Sequence, residues 1–507
     1  MSSKPSSRLS SEGSTGPLGT GRAELAAALG FVALVAVVAG AASPLPVGVA
    51  PAAAVVLPLA VAVVARPVYG LYLVVPAVML SPEFAVGQLP FRALELRVED
   101  ALVAAMVLGV LRDEYAGRTD AFAVLRRHLS RLRPWRPVDA FRRVEGVTAF
   151  ALVVAPAAVF AALLGVTFAN AVAFQSVHPL QSLLYTAKYV EYLCLFALVP
   201  LLVRTRRQYR LLALAFVASG LAVAATAVVE AALHYTTPVT LGWVSEPGKR
   251  RRFLGFYTNP TVFGSFVALV FPVGVTAALG AREWPLLRRL GAALAVVSVP
   301  ALLVSGGRAP VIGALVALAT VALVPVAFDR EGAALSRRRA AALLVGGVVA
   351  FAVLIAVGAA AGVEAVSRLA YFFTHPLSLP GVETRVTRWN GFLGDEFRHN
   401  PILGSGVPTA PWFSSYYVRI LVEHGAVTFL ALCWLLAAVG RALLAVERDV
   451  GGWESALALG AVGATAGFLV VNVTAEMLTV TQTAQTFWFL VGLVVAAPRV
   501  SGAATEG

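Results

Sequence analysis

The sequence predicts an all-α fold: a polytopic transmembrane bundle of about 12–14 helices with one large external loop. Three observations carry this prediction. Hydrophobic residues make up 59% of the 507 residues and charged residues only 13%, about half the charge share of an ordinary soluble domain. The mean hydropathy is +0.81. The apolar residues come in runs of roughly twenty, the length at which a helix crosses the hydrocarbon of a bilayer. These runs are too long and continuous for the alternating strands of an outer-membrane barrel, and helix is the state that satisfies every backbone group inside lipid. A disordered chain, a secreted disulfide scaffold and a cytosolic enzyme are excluded.

Taken in order, residues 1–22 are rich in Ser and Gly and read as a disordered cytoplasmic tail, with no cleavable signal peptide before the first span. Residues 23–111 hold N-terminal spans at 23–42, 46–65, 67–81 and 98–111. The last two are short, and tilt, re-entry or one irregular hairpin are all open readings of them. Residues 112–145 form a basic loop containing Arg126, Arg127, Arg131, Arg133, Arg136, Arg142 and Arg143. Central spans fill residues 146–361, at 146–165, 183–203, 211–234, 260–281, 290–305, 309–328 and 341–361, with a loop at 236–259. Residues 362–422 are too long for a mere connector. Helical pieces are expected near 364–373 and 383–397, the second with Trp389, Phe392, Leu393 and Phe397 on an apolar stripe suited to the bundle or to the membrane surface. The C-terminal spans, at 426–446, 453–473 and 483–497, lie within residues 423–498, and residues 499–507 form a second cytoplasmic tail.

The net charge is +13, from 40 Lys+Arg against 27 Asp+Glu. The basic loops at 112–145, 204–210, 282–289 and 329–339 all fall on one side, which the positive-inside bias assigns to the cytoplasm. The charge excess therefore reflects membrane topology, and no nucleic acid is expected as a partner. Cys194 and Cys433 both sit in apolar runs, so a disulfide framework is not expected. The chain has neither a His/Cys cluster at metal spacing nor a nucleotide-binding glycine motif, so neither a metal nor a cofactor is expected.

Against this topology, some basic charge stands on the external side. Lys249-Arg250-Arg251-Arg252 precedes a span, Arg308 follows the Ser305-Gly306-Gly307 turn, and Arg385, Arg388 and Arg398 lie in the long loop. A guanidinium binds phosphate through a rigid fork of donors, and several converging on one spot would hold a diphosphate. Snorkelling to lipid headgroups is the alternative reading for the run as a whole. Arg308 fits function better, because the glycines allow close backbone approach and the helix N-terminus adds partial positive charge. Lys188 and Glu191, three apart, share a helix face and read as an ion pair; Glu230, near an external helix end, is placed to answer an arginine. His399, Glu423 and His424 are the candidate bases for activating a sugar hydroxyl, alongside a structural reading of each.

In order and spacing, these segments resemble the O-antigen ligase and O-antigen polymerase family of membrane glycosyltransferases. The segments are Lys188-Tyr189-Val190-Glu191-Tyr192, Arg252 through Asn259-Pro260, Ser305-Gly306-Gly307-Arg308-Ala309, Arg388-Trp389, His399 through Gly406, and Glu423-His424-Gly425. The resemblance runs from residue 183 to the last span. It implies a polyprenyl-(pyro)phosphate-linked glycan donor, a glycan or lipid acceptor, surface-polysaccharide biosynthesis on the external face of the cell membrane, and contacts with membrane lipids and envelope-assembly proteins. It assigns the donor phosphate to Arg252 and Arg308, with Arg251 and Arg388 beside them, in a metal-independent transfer. The chain departs from the ligases at one point. Where they carry a His shortly before the Gly that opens a span, Ser414-Ser415 stands here, which turns the expectation toward a polymerase or another acceptor, with His399, Glu423 or His424 as base. The alternative is a transporter or flippase for a lipid-linked or anionic solute, whose marks are midspan ionisable residues and broken helices.

Overall fold

A computed structural model describes residues 58–80, 84–89, 92–119, 123, 149–174, 177–236, 257, 259–327, 335–360, 371, 374, 380–407 and 413–502. Within them the helices are α1 (Pro67–Leu80), α2 (Val98–Tyr115), α3 (Ala149–Phe174), α4 (Pro179–Leu202), α5 (Arg206–Thr236), α6 (Pro260–Gly280), α7 (Pro285–Ser305), α8 (Arg308–Ala327) and α9 (Arg337–Ala360). They continue with α10 (Pro380–Gly394), α11 (Glu396–His399), α12 (Tyr416–Asp449), α13 (Gly452–Thr474) and α14 (Thr481–Val500). Ten of the described helices, α3 to α9 and α12 to α14, are long and apolar enough to cross a membrane, and the protein is a multi-pass helical bundle.

Each span expected from residue 67 onward has its helix. The tail at 1–22, the span at 23–42, residues 46–57 of the next, most of the basic loop at 112–145 and residues 503–507 lie outside the described residues. So do the helical piece at 364–373, apart from Tyr371, and the whole Lys249–Arg252 run.

Local structure departs from the expected pattern in two places. The connection between α1 and α2 is an antiparallel hairpin of β1 (Phe84–Leu89) and β2 (Arg92–Leu96), with an irregularity between Ala85 and Gly87. Prolines set its limits: Pro82 follows the last residues of α1, and Pro90 falls between the two strands, so a continuous helix through this stretch is blocked. The second departure is α12, which begins at Tyr416, ahead of the expected span, and is interrupted by non-helical backbone at Gly425 (φ 75°, ψ 175°).

Several spans start on a proline whose missing N–H costs nothing in the first turn. Pro179, Pro260 and Pro285 open α4, α6 and α7. Asn259 caps α6, its Oδ1 accepting from the Thr261 N–H at 2.8 Å. α6, α13 and α14 are buried along most of their length and form the centre of the bundle. α6 packs against α7 and α13, α13 against α8, α14 against α4, and α3 against α12.

Small residues set how closely α8 and α13 approach, as is usual where lipid supplies no hydrophobic drive between helices. A Cβ at Gly467 would lie 2.2 Å from the Gly313 carbonyl oxygen and 3.0 Å from the Ala317 Cβ. Because the obstructing atom is backbone, Gly467→Leu is expected to force the helices apart and destabilise the fold by about 3 kcal/mol. Thermal unfolding of the purified protein in detergent, with Gly346→Leu at an open position as control, measures it.

Candidate functional site

Successive antiparallel spans bring the α7–α8 turn, the α10–α11 segment, the start of α12 and the α13–α14 connection to one end of the bundle. The α7–α8 turn is built from its sequence in a direct way. Gly306 takes the left-handed conformation (φ 61°) that ends α7, its N–H returning to the Leu303 carbonyl. Ser305 is buried; its hydroxyl donates to the Leu302 carbonyl at 2.7 Å and accepts from the Gly307 N–H at 3.3 Å. The turn delivers Arg308 as the first residue of α8.

On α10, Arg385 and Arg388 are three apart and so project from neighbouring positions of the helix. Burial first, and then the positive charges of Arg308 and Arg388, lower the proton affinity of the Arg385 guanidinium. Arg385 thus feels the charge of Arg308 on α8 and of Arg388 on its own helix. Among the described residues, no carboxylate forms a salt bridge with Arg385 or Arg388. Arg385 is half-buried and Arg388 is exposed, so α10 presents positive charge here.

The apolar stripe of α10 is used as the pattern suggests. Trp389 and Phe392 are half-buried. The Trp389 indole N–H donates to the Phe413 carbonyl at 2.9 Å, and the Phe392 and Phe413 rings lie 4.4 Å apart. α10 therefore rests on the chain entering α12, and Arg388 Nη1 donates to Ser414 Oγ at 3.3 Å. Ser414, which the sequence reading set against an expected histidine, thus contacts Arg388. Arg251 and Arg252 lie outside the described residues.

The three candidate bases are separated. His399 is exposed at the end of α11, its Nδ1–H donating to the Asp395 carbonyl of its own segment. Glu423 is fully buried and accepts from Arg419 Nε at 2.9 Å. His424 is buried, with Nδ1 2.8 Å from the Thr167 hydroxyl and its ring edge-on to Tyr189 at 5.8 Å. Glu423 and His424 thus face the interior of the bundle and are engaged there, whereas His399 is open to solvent.

The break at Gly425 explains two of the sequence motifs together. Residues 400–406 run against it and take up the backbone groups that the interrupted helix releases. Ser405 and Gly406 N–H donate to the Val422 and Glu423 carbonyls at 2.9 and 3.0 Å, and Ala426 N–H donates to the Pro401 carbonyl at 2.8 Å. A Cβ at Gly425 would come within 2.1 Å of the Ile402 carbonyl, and one at Gly404 within 2.4 Å of the Glu423 carbonyl. Irregular backbone at membrane depth is stable only when paired in this manner.

Two charge clusters were only partly visible in the sequence. Lys188 pairs with Glu191 at 3.2 Å, as the spacing suggested, but also with Asp100 of α2 at 2.5 Å, while Glu191 accepts from Gln485 of α14 at 2.5 Å. Arg419 bridges Glu423 of its own helix and Glu476 of the α13–α14 connection, all three nearly excluded from solvent. The i,i+4 spacing of Arg419 and Glu423 was a usable signal; no local pattern points to Glu476. Glu230 is buried on α5.

Removing the cation between two buried carboxylates leaves both uncompensated, so Arg419→Met is expected to cost about 3–5 kcal/mol. Neutralising the carboxylates as well, in Arg419→Met/Glu423→Gln/Glu476→Gln, is expected to recover part of that loss, with thermal unfolding of the variants as the measurement. No known family model matches the chain, and no curated protein matches it.

Proposed function

We propose that the protein is a membrane glycosyltransferase that polymerises or transfers a polyprenyl-(pyro)phosphate-linked glycan at the external face of the cell membrane. The observation that supports this reading is that Arg385 on α10 feels the positive charges of Arg308 at the start of α8 and of its neighbour Arg388, in segments that the loop charges assign to the external side. The resemblance of the surrounding segments to O-antigen polymerases and ligases supports it, and adds Arg252 and Arg251 to the same role.

The chemistry asks for little else. The acceptor hydroxyl oxygen attacks the anomeric carbon of the donor sugar, the bond from that carbon to the diphosphate oxygen breaks, and the electron pair leaves with the diphosphate. Fixed guanidinium groups stabilise the charge that develops on this leaving group, in a site where they need not reorganise. Holding donor and acceptor together supplies the rest of the rate enhancement. The hydroxyl proton passes to His399, the candidate base that is open to solvent. The partners on this reading are the lipid-linked donor, a glycan or lipid acceptor, and the surrounding lipids.

Arg308→Ala, Arg385→Ala and Arg388→Ala are each expected to lower glycan transfer by about a hundredfold at normal protein levels. Surface-polysaccharide chain length in cells and transfer by purified protein are the measurements, and wild-type behaviour in all three would overturn the reading. Arg308→Lys is expected to be nearly as impaired as Arg308→Ala, because an ammonium cannot make the two-pronged phosphate contact; full activity of the Lys variant would reduce the role to simple charge.

The helix break at Gly425 and the part-buried Lys188–Asp100–Glu191 group favour a second reading, a transporter or flippase for a lipid-linked or anionic solute. Protein in liposomes separates the two. A glycosyltransferase lengthens or transfers glycan when donor is presented at the face bearing the arginines, with no solute crossing, whereas a flippase moves donor without extending it.

A further inference from the structure

Ser414 is the one described non-glycine residue with a positive φ, 58°. Side chains rarely adopt this conformation, and where they do the surroundings hold them there. Here the holding group is Glu476. Its Oε1 accepts from the backbone N–H of Phe413 at 2.6 Å and of Ser414 at 2.5 Å, while Oε2 accepts from Arg419. The Tyr416 N–H adds a bond to the Ala475 carbonyl at 3.0 Å, so the whole turn is pinned to the α13–α14 connection.

The strained turn has a chemical consequence. It directs Ser414 Oγ toward α10, where the oxygen accepts from Arg388 Nη1 at 3.3 Å. A serine hydroxyl has one proton to donate, and among the described residues that proton has no protein acceptor. Arg388 belongs to the group whose charges bear on Arg385. A hydroxyl oriented by Arg388, one helix turn from Arg385, with its own proton free, is arranged to donate to an oxyanion held by those guanidiniums.

We propose that Ser414 is a hydroxyl ligand of the diphosphate, donating its proton to a non-bridging phosphate oxygen at the Arg308–Arg385–Arg388 site, and that Glu476 is the positioning residue that holds it there. This inference rests on the reading of the arginine group as the diphosphate site. It gives Ser414 a binding role, not that of a base.

The test uses the full-length protein in detergent with farnesyl diphosphate, a short polyprenyl diphosphate, as probe. Ser414→Gly removes the hydroxyl while relieving the left-handed strain. Its thermal midpoint is expected at or above that of wild type, with diphosphate affinity about tenfold weaker. Ser414→Ala, which keeps the strain, is expected to lose the same affinity. Glu476→Gln is expected to weaken binding in the wild-type background and to add little in the Ser414→Gly background, because it acts through that residue. If both Ser414 variants bind as wild type while Arg385→Gln loses binding, Ser414 is not a ligand and the arginine site stands. If Arg385→Gln also binds as wild type, the arginine reading itself fails. Equal effects of Glu476→Gln in both backgrounds would overturn the positioning role.

Discussion

Inside a bilayer no solvent is available to a polar group, so each backbone N–H, carbonyl and charge within the bundle must find its partner in the protein itself. The helix break and the ion-pair sets of this molecule follow that constraint, while several buried side-chain atoms, among them Gln181 Nε2 and Oε1 and His424 Nε2, have no protein partner among the described residues. The interruption of α12 at Gly425 is tolerated because residues 400–406 bond to the carbonyls and N–H groups it exposes. Charges come in bridged sets, the part-buried Lys188 between Asp100 and Glu191, and the buried Arg419 between Glu423 and Glu476. Such pairs contribute little net stability when intact, yet they specify which helices meet and in what register.

The charges on α10 contrast with these sets: Arg385 feels Arg308 and Arg388 as like charges, and among the described residues no carboxylate forms a salt bridge with Arg385 or Arg388. The cost of assembling them is met by the surrounding packing: the glycine turn that seats Arg308, and the Trp389 and Phe392 contacts that hold α10 against Phe413. The side-chain contacts of Arg388, Trp389 and Phe392 connect α10 to the chain entering α12.

The same contacts distribute the histidines and acids. Glu423 joins the helix break through its carbonyl and the ion-pair set through its carboxylate, His424 meets Thr167 and Tyr189, and His399 remains at the surface. Arg388-Trp389 ties α10 to the chain entering α12.

How much was readable in advance follows from which interactions are local. Apolar runs depend only on composition along the chain, so the helical class and the spans from residue 67 onward could be inferred without a structure. The pairs Lys188–Glu191 and Arg419–Glu423 lie within one helix turn or slightly more and were within reach of the same logic. The β-hairpin was not anticipated, because residues 84–96 fall between two expected spans, where a search for long apolar runs assigns no element. The partnership of Glu476 with Phe413, Ser414 and Arg419, the seating of α10 on the start of α12, and the meeting of Arg308 with Arg385 join residues tens of positions apart. No periodicity encodes contacts of that kind; they exist only once the helices have packed and their ends share one face.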